Sequence, residues 1–316
     1  MGILALFLSL TAPLAFAGQP ALFHSTKILP IEIKADFKEI AAQKDVEEKL
    51  LPGTLNAAGK SMKIEIAPRG NYRRLLCSDL PPLKIILPKG KRPRIFKRLD
   101  RDMKFVTNCM PKPTEASRAA TIREYLQYRL LAVAGFPGFQ VRLAEVTYRL
   151  PSGEQYGSGV GFFIENIKDA MARLDLNDST AAIPYASLYA EFEIAERFLR
   201  NFDFQAAAGY SDHNVRRIKN AKGEVIALLP YDFDRSGLSE KEGDIPEAAH
   251  QMLSSLSAVS VEKSNYAPYL RRLIGSRAAL LAEVNGSPLE KDDKKYLADW
   301  INSYIDAAEA RFASDK

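Results

Sequence analysis

The sequence is poor in the residues that identify several specialised classes of protein. Its 316 residues include two cysteines, three histidines and one tryptophan, and they contain no Cys-rich zinc pattern and no HExxH motif. No apolar segment reaches the roughly 20 residues of a transmembrane helix, so no membrane span is expected. The 44 Lys and Arg nearly balance the 39 Asp and Glu. A net charge of +5 gives no reason to expect nucleic acid as a partner.

The N-terminal 17 residues, Met1–Ala17, carry no charged side chain. Leu4–Leu10 is a short apolar run, and Ala15 and Ala17 place small residues at the −3 and −1 positions of a signal-peptidase site before Gly18. We therefore predict a signal peptide over 1–17 and export of the protein to the periplasm or the cell exterior. The alternative interpretation is a buried N-terminal helix.

The two cysteines, Cys77 and Cys109, form the smallest even set. In an exported chain such a pair is predicted to be a disulfide, because thiols oxidise outside the cytoplasm. If the chain is not exported, two unpaired buried thiols are the favoured interpretation.

Beyond the signal peptide the patterning changes twice, and 47% hydrophobic residues are enough for a full core. Residues 18–60 resemble an extension with one helix, Ala35–Leu50. Residues 61–165 alternate like strands around a helix at Arg118–Val133, and 166–316 are mainly helical, with one of the predicted helices over Ala267–Glu283. This order predicts an α+β protein of two lobes with a ligand cleft between them. The predicted strands are Met62–Ala67, Leu83–Leu87, Met103–Thr107, Val141–Arg149 and Gly159–Glu165.

A β-hairpin predicted inside the helical half carries polar side chains at both of its ends. Asn214 opens the first strand, and Asp232 and Asp234 follow the second. Cross-strand neighbours lie about 5 Å apart, so Asn214 and Asp232 are expected to meet. Their oxygens are the hard ligands that suit Mg²⁺ or Mn²⁺. Asp203, arriving from the preceding helix, is then placed to orient a nucleophile.

The same order of residues occurs in enzymes that transfer phosphoryl groups. These enzymes use a catalytic Asp, a metal-binding Asn and a metal-binding Asp, together with a strand lysine held by a helix carboxylate. Lys84, on a predicted strand, and Glu124, on a predicted helix, stand in the right order for the last two.

In these motifs the chain resembles the CotH (spore coat protein H) kinase-like family of secreted atypical kinases. The likeness runs through Arg69-Gly70-Asn71, PPLKIIL, Arg123-Glu124-Tyr125-Leu126 and the series NFD…HN…PYDFDRSG. It implies a two-lobed protein-kinase-like fold that binds ATP with Mg²⁺ or Mn²⁺ and phosphorylates a protein hydroxyl. The implied roles are ATP binding for Lys84, its partner Glu124 and Arg69, catalysis for Asp203, and metal binding for Asn214, Asp232 and Asp234.

Two departures keep other functions open. Asp-Phe-Asp replaces the usual Asp-Phe-Gly at Asp232, and the phosphate-covering loop has the single glycine Gly70. One alternative is a kinase-shaped envelope or binding protein without turnover. The other is a calcium-stabilised binding module, because Asp232-x-Asp234-x-Ser236-Gly237 matches the first half of a calcium loop. The predicted partners are a nucleotide and a protein substrate or envelope partner.

Overall fold

The computed structural model describes residues 20–43, 49–70, 72–77, 79–176, 183–204, 213–241, 243–257 and 265–314. The predicted signal peptide over 1–17 lies outside the described residues, as does Asn71. The described elements are mainly strands in the first half of the chain and mainly helices in the second, so the predicted α+β class is confirmed.

Seven strands form a closed barrel in the order β1-β2-β3-β4-β5-β7-β6. Neighbouring strands are antiparallel except β1 and β6, which close the barrel as a parallel pair with Ile31 opposite Val146. β1 and β3 alternate buried apolar and more exposed polar residues, which is the pattern of a sheet with one buried face, whereas β7 is buried at every residue from Gly159 to Ile164. Their bounds are β1 Leu29–Ala35, β2 Leu51–Ala57, β3 Lys60–Pro68, β4 Leu83–Ile86, β5 Asp102–Val106, β6 Val141–Arg149 and β7 Gln155–Ile164.

The residues predicted as an extension ahead of the strands belong to this barrel. β1 pairs with both β2 and β6, so the sheet closes only through residues 29–57. The helix predicted over Ala35–Leu50 is shorter in the described residues. Helix α1 covers Phe37–Ala42 and begins where the Asp36 side chain accepts a hydrogen bond from Glu39 N. The extension is therefore corrected to an integral part of the sheet.

Helix α3, Glu115–Val133, packs against the outer face of β6 and β7 and against α6 and α9. A continuous cluster of buried apolar side chains runs from this face of the barrel to Trp300 on the last helix. The remaining elements are α2 Tyr72–Leu76, α4 Ile167–Arg173, α5 Tyr185–Phe198, β8 Val215–Lys219, β9 Val225–Pro230, α6 Gly237–Glu240, α7 Ile245–Ser254, α8 Ala267–Gly275, α9 Arg277–Asn285 and α10 Lys291–Ser314.

The helix predicted over Ala267–Glu283 is divided in two at Ser276, where α8 ends and α9 begins. The predicted hairpin is present as β8 and β9, an antiparallel pair apart from the main barrel. Within the described ranges, no helix combines the length and the apolar character that crossing a bilayer requires.

Cys77 and Cys109 are joined by a disulfide, as predicted, with their Cα atoms 4.5 Å apart. The bond connects the end of α2 to the segment that follows β5. It therefore fixes the connection that carries Arg69 and Arg73 against the barrel.

We expect the Cys77→Ser/Cys109→Ser variant to lose about 3 kcal/mol of unfolding free energy, because the disulfide closes a long loop in the unfolded chain. The two cysteines are 32 residues apart. Urea denaturation measures the loss. Dithiothreitol should destabilise the wild-type protein by a similar amount and leave the double variant unchanged. Equal stability of oxidised wild type and variant would contradict the expectation.

Candidate functional site

A cleft of about 510 Å³ lies where the outer face of the barrel, α3 and the β8–β9 hairpin come together. It is lined by Asp203, Asn214, Asp232 and Asp234 on the hairpin side and by Arg69, Arg73, Lys104 and Glu124 on the barrel and α3 side. Val106, Phe139 and Ile164 supply apolar side chains to the same cleft. The cleft therefore offers carboxylates, cations and an apolar surface to one ligand.

The hairpin brings Asn214 and Asp232 together through its backbone. Tyr231 N donates a 3.1 Å hydrogen bond to Asn214 O, directly before Asp232. Asn214 and Asp232 both have left-handed backbone conformations, with φ of 52° and 67°. Asn and Asp tolerate this region better than other residues with a Cβ. The two residues predicted to bind a metal therefore lie next to each other at the ends of the hairpin, each in a left-handed backbone conformation.

Asp203 is held against Asn214 and His213. Asn214 Nδ2 donates hydrogen bonds of 2.6 Å to Asp203 O and 3.2 Å to Asp203 Oδ2. His213 Nε2 lies 3.0 Å from Asp203 Oδ1. Both amide contacts of Asn214 use its nitrogen, so its oxygen faces away from Asp203 as an acceptor. The predicted catalytic carboxylate and one predicted metal ligand thus form one hydrogen-bonded unit.

Two buried side chains fix the backbone of Asp203 from behind. Asn201 Oδ1 accepts a 3.1 Å hydrogen bond from Asp203 N, and Asn201 Nδ2 donates one of 2.8 Å to Glu196 Oε2. Asn201 and Glu196 are fully buried. Burial raises the pKa of Glu196 well above its ordinary value. The short connection between α5 and Asp203 is therefore anchored in the protein interior.

Asp232 and Asp234 flank Phe233, which is fully buried. The Asp232 backbone is fixed by α3, since Asp232 N donates a 3.0 Å hydrogen bond to the Tyr128 hydroxyl. Burial raises the pKa of Asp234, and the neighbouring Asp232 carboxylate raises it further, while Arg73 acts in the opposite direction. Two like charges are thus held close together, as they are in sites that bind a cation.

Glu124 forms its ion pair with Arg73 and not with the lysine that was predicted. Arg73 Nη1 donates a 2.8 Å hydrogen bond to Glu124 Oε2, and Arg73 Nε lies 3.6 Å from Asp234 Oδ2. Burial raises the pKa of Glu124 to about 7, assisted by Asp234 and Asp232 and opposed by Arg73. Burial disfavours the Arg73 charge, yet Glu124 and Asp234 raise the Arg73 pKa overall.

Lys84 is not among the residues that line the cleft. Its Nζ lies 3.7 Å from Asp102 Oδ2. Its cross-strand neighbour on β5, Lys104, takes the place in the cleft that was predicted for Lys84. Burial, together with the positive charges of Arg69 and Arg216, lowers the pKa of Lys104 to about 8. The structure therefore makes Lys104 the candidate for contacting an anionic ligand.

Arg69, predicted to bind the nucleotide, lies in the cleft at the turn between β3 and α2. Its backbone N donates a 2.8 Å hydrogen bond to Pro82 O, and Gly70 follows with a φ of 88°. A glycine adopts this left-handed conformation without steric cost, so the chain can turn and present Arg69 and Arg73 to the same cleft. Burial lowers the pKa of Arg69, while the Asp232 charge acts against that decrease.

Arg73, Lys104 and Tyr128 are among the residues of the cleft that the sequence analysis missed. Lys104 lies between the buried Met103 and Phe105, so the strand alternation does indicate that it faces outward. That signal is shared with Lys84 and does not distinguish the two. Arg73 and Tyr128 have no motif that identifies them.

The donor set fits a divalent cation held together with a phosphate ligand. Asp232 and Asp234 supply carboxylates and Asn214 an amide oxygen, and Mg²⁺ is typically held by one or two carboxylates plus phosphate oxygens and water. Among the described residues no three His, Cys, Asp or Glu side chains are close enough to hold a metal by themselves. A metal at this place would therefore depend on its ligand for coordination.

The calcium-loop alternative does not fit this geometry. Ser236, which would supply the third oxygen, is buried and donates its hydroxyl to Gln127 Oε1 at 2.7 Å. The same Ser236 Oγ accepts a hydrogen bond from Ser239 N and caps α6. Its oxygen faces α3 and not a site shared with Asp232 and Asp234.

Three solved structures resemble the chain remotely. The proinflammatory kinase CtkA of Helicobacter pylori gives a TM-score of 0.42 at 12% identity, over 73% of this chain and 94% of that one. The Shewanella oneidensis MR-1 toxin–antitoxin system of HipA, HipB and its operator DNA gives 0.35 at 11% identity, over 88% and 71%. The Rio2 kinase of Chaetomium thermophilum, a complex with ADP/Mg²⁺ and phosphoaspartate, gives 0.32 at 15% identity, over 87% and 76%.

No family model matches the sequence, and no curated protein matches it significantly. Similarities with TM-scores below 0.5 and identities below 25% do not by themselves assign a function to this chain. The resemblance to the spore coat protein H family therefore stays an expectation, and the geometry of the cleft has to carry the functional conclusion.

We expect Tyr128→Phe to lower the unfolding free energy by about 1–2 kcal/mol, because it leaves the Asp232 N–H without its acceptor. Tyr125→Phe is a matched control. Both rings pack on Phe162, with centroids 5.9 and 6.0 Å away, and no described residue hydrogen-bonds the Tyr125 hydroxyl. The control should change stability by less than about 0.5 kcal/mol. Equal losses in urea denaturation of both variants would show that the Asp232 contact contributes nothing.

Proposed function

We propose that the protein binds ATP with Mg²⁺ or Mn²⁺ in this cleft and transfers the γ-phosphoryl group to a hydroxyl of a protein. The barrel and the helical part would then correspond to the two lobes of a protein-kinase-like fold. The proposal includes export from the cytoplasm, which the Cys77–Cys109 disulfide supports.

One observation carries the proposal: a single cleft gathers carboxylates on one side and cations on the other. Asp203, Asp232 and Asp234 stand on the hairpin side, and Arg69 and Lys104 stand on the barrel side. A nucleoside triphosphate bound to a divalent cation carries a negative charge for the cationic side of the cleft and a positive charge for the acidic side. Its phosphates complement the cations and its metal complements the carboxylates.

Each group has a defined role in this proposal. Lys104 and Arg69 bind phosphate oxygens, and the apolar wall around Ile164 packs against the base. Asn214, Asp232 and Asp234 would hold the metal, which when bound neutralises charge on the phosphates. Glu124 holds Arg73 beside Asp234.

Asp203 would act on the acceptor hydroxyl. The hydroxyl oxygen forms a bond to the γ-phosphorus, and the bond from that phosphorus to the β–γ bridging oxygen breaks. The hydroxyl proton passes to a carboxylate oxygen of Asp203, and ADP leaves. The contact with His213 at 3.0 Å and the amide of Asn214 keep the Asp203 carboxylate oriented for this proton transfer.

We expect ATP with Mg²⁺ to raise the melting temperature by about 5 °C or more at concentrations 100-fold above Kd. Asp232→Asn should lose the metal-dependent part of this increase, since it removes a metal ligand. Asp203→Asn should keep the full increase and lose at least about 100-fold in phosphoryl transfer. Transfer is measured with radiolabelled ATP as autophosphorylation and with casein as a generic acceptor.

Asp306→Asn is the matched control, because Asp306 lies on α10 in an exposed ion pair with Arg277. This variant should leave both the ligand-dependent increase in melting temperature and the rate of phosphoryl transfer unchanged. No stabilisation by ATP and Mg²⁺ would overturn the proposal, and stabilisation without transfer would leave the non-catalytic binding protein. Stabilisation by Ca²⁺ alone would restore the calcium module. Undiminished transfer by Asp203→Asn would remove its assigned role.

The choice between the two neighbouring lysines gives a second test. We expect Lys104→Met to weaken Mg·ATP binding by about 10- to 100-fold, as the loss of a charge-assisted hydrogen bond implies. Lys84→Met should change the affinity less than twofold. Lys104→Met should also melt at a higher temperature without ligand, because it relieves repulsion with Arg69 and Arg216.

The pH dependence follows from the lowered pKa of Lys104, about 8. Lys104 loses its proton as the pH rises above 8, so ATP affinity should fall by up to tenfold per pH unit between pH 8 and 9.5. Lys104→Arg keeps its charge and should bind equally well across this range. Calorimetry at pH 7, 8 and 9 measures the affinity of the wild type and of Lys104→Arg.

A loss of binding in Lys84→Met but not in Lys104→Met would reverse the assignment of the two lysines.

A further inference from the structure

The net charge of the chain is concentrated in one connection. Residues 88–101, which join β4 to β5 and are called the basic loop below, contain seven Lys or Arg and one Asp, a net charge of +6. The entire chain carries +5, so the other 302 residues together carry −1. Any long-range attraction of this protein for polyanions therefore arises largely from the basic loop.

Two arginines of the basic loop hold its backbone in a fixed shape. Arg92 donates 2.7 Å hydrogen bonds from Nε to Pro88 O and from Nη1 to Leu99 O. Arg101 Nε donates one of 2.9 Å to Leu87 O. These arginines act as internal ties across the base of the loop.

The other five cations of the basic loop are exposed and have no ion-pair or hydrogen-bond partner among the described residues. They are Lys89, Lys91, Arg94, Lys97 and Arg98. The single acid of the loop does not neutralise them, because Asp100 pairs with Lys168 on α4 at 3.4 Å. Five positive side chains on ten consecutive residues thus face solvent together.

The backbone of the basic loop is strained near its C-terminal end, at the exposed Arg98. Arg98 has a φ of 102°, a region that is costly for any residue with a Cβ. The conformation persists because the neighbours on both sides, Phe96 and Leu99, are buried in the barrel core. Lys97 and Arg98 form a two-residue kink between these anchors. Such strain concentrates at functional segments.

From these observations we infer that the basic loop is a docking surface for the anionic headgroups of a lipid bilayer. A bilayer is a flat, dense array of phosphates that several lysine and arginine side chains meet without a groove or a register. Single-stranded nucleic acid is held by aromatic stacking in addition to charge. The one aromatic ring of the loop, Phe96, is fully buried and packs on Phe163. The loop also lies outside the cleft, so the inference does not depend on phosphoryl transfer.

The test is co-sedimentation of the protein with vesicles of 30% phosphatidylglycerol in phosphatidylcholine. We expect binding at 50 mM salt that is lost at 500 mM salt, and no binding to pure phosphatidylcholine. Lys89→Ser/Lys91→Ser/Lys97→Ser removes three exposed charges and leaves the strained Arg98 and the buried anchors intact. Its partition coefficient should fall about 100-fold, at the energy per basic residue usual for anionic surfaces.

Lys60→Ser/Lys222→Ser/Lys291→Ser is the matched control. These lysines are exposed on β3, in the turn between β8 and β9 and on α10, and the variant has the same net charge as the loop variant. It should lose no more than about threefold in partitioning. Similar losses in both variants would attribute binding to net charge and overturn the docking surface. So would an absence of vesicle binding, or a loop-dependent binding of polyglutamate or single-stranded DNA that vesicles do not show. Unchanged melting temperatures establish that both variants are folded.

Discussion

The geometry of the cleft depends on buried hydrogen bonds between helix α3 and the segment that follows Asp232. Gln127 is fully buried, accepts a 2.7 Å hydrogen bond from Ser236 Oγ and donates one of 2.8 Å to Ser239 Oγ. A buried amide that lost either partner would be costly, so the helix and the segment have one favourable alignment. Because Glu124 lies on the same helix, the carboxylates of the cleft are placed relative to it by this alignment.

Burial in the cleft disfavours the charged forms of both its acidic and its basic side chains. Burial raises the pKa values of Glu124 and Asp234 and lowers those of Lys104 and Arg69. Arg73 bridges Glu124 and Asp234 and compensates only part of this cost. Residues kept in such a state are characteristic of binding sites, since a ligand of mixed charge restores what desolvation removed. The proposed ligand, a metal-bound triphosphate, carries both signs of charge and therefore compensates both sets of residues, which an anion or a cation alone does not.

The sequence predicts that the two ends of the hairpin meet, because the contacts between its strands are local. Asn214 and Asp232 lie at the two ends of one hairpin. Gly223 marks the turn of that hairpin, and the alternation of the strands defines the register that brings its ends together. The closure of the barrel could not be predicted in the same way. It requires β1 to pair with β6 across more than 100 residues, and Pro30 interrupts the pattern that would identify β1. Local periodicity carries no information about such a distant parallel partner.

Local patterning also failed to identify the lysine of the cleft, which is Lys104 and not the predicted Lys84. The two lysines are direct cross-strand neighbours on one face of the sheet, and Ile164 is the next neighbour of Lys104 on β7. Adjacent strands are about 4.8 Å apart, so each strand further from β7 moves a side chain that far from the hairpin carboxylates. Alternation determines the face on which a lysine stands, but the order of strands in the sheet determines how far it is from Asp232. That order is a property of the closed barrel, and residue order along the chain is therefore an insufficient guide to which lysine lines the cleft.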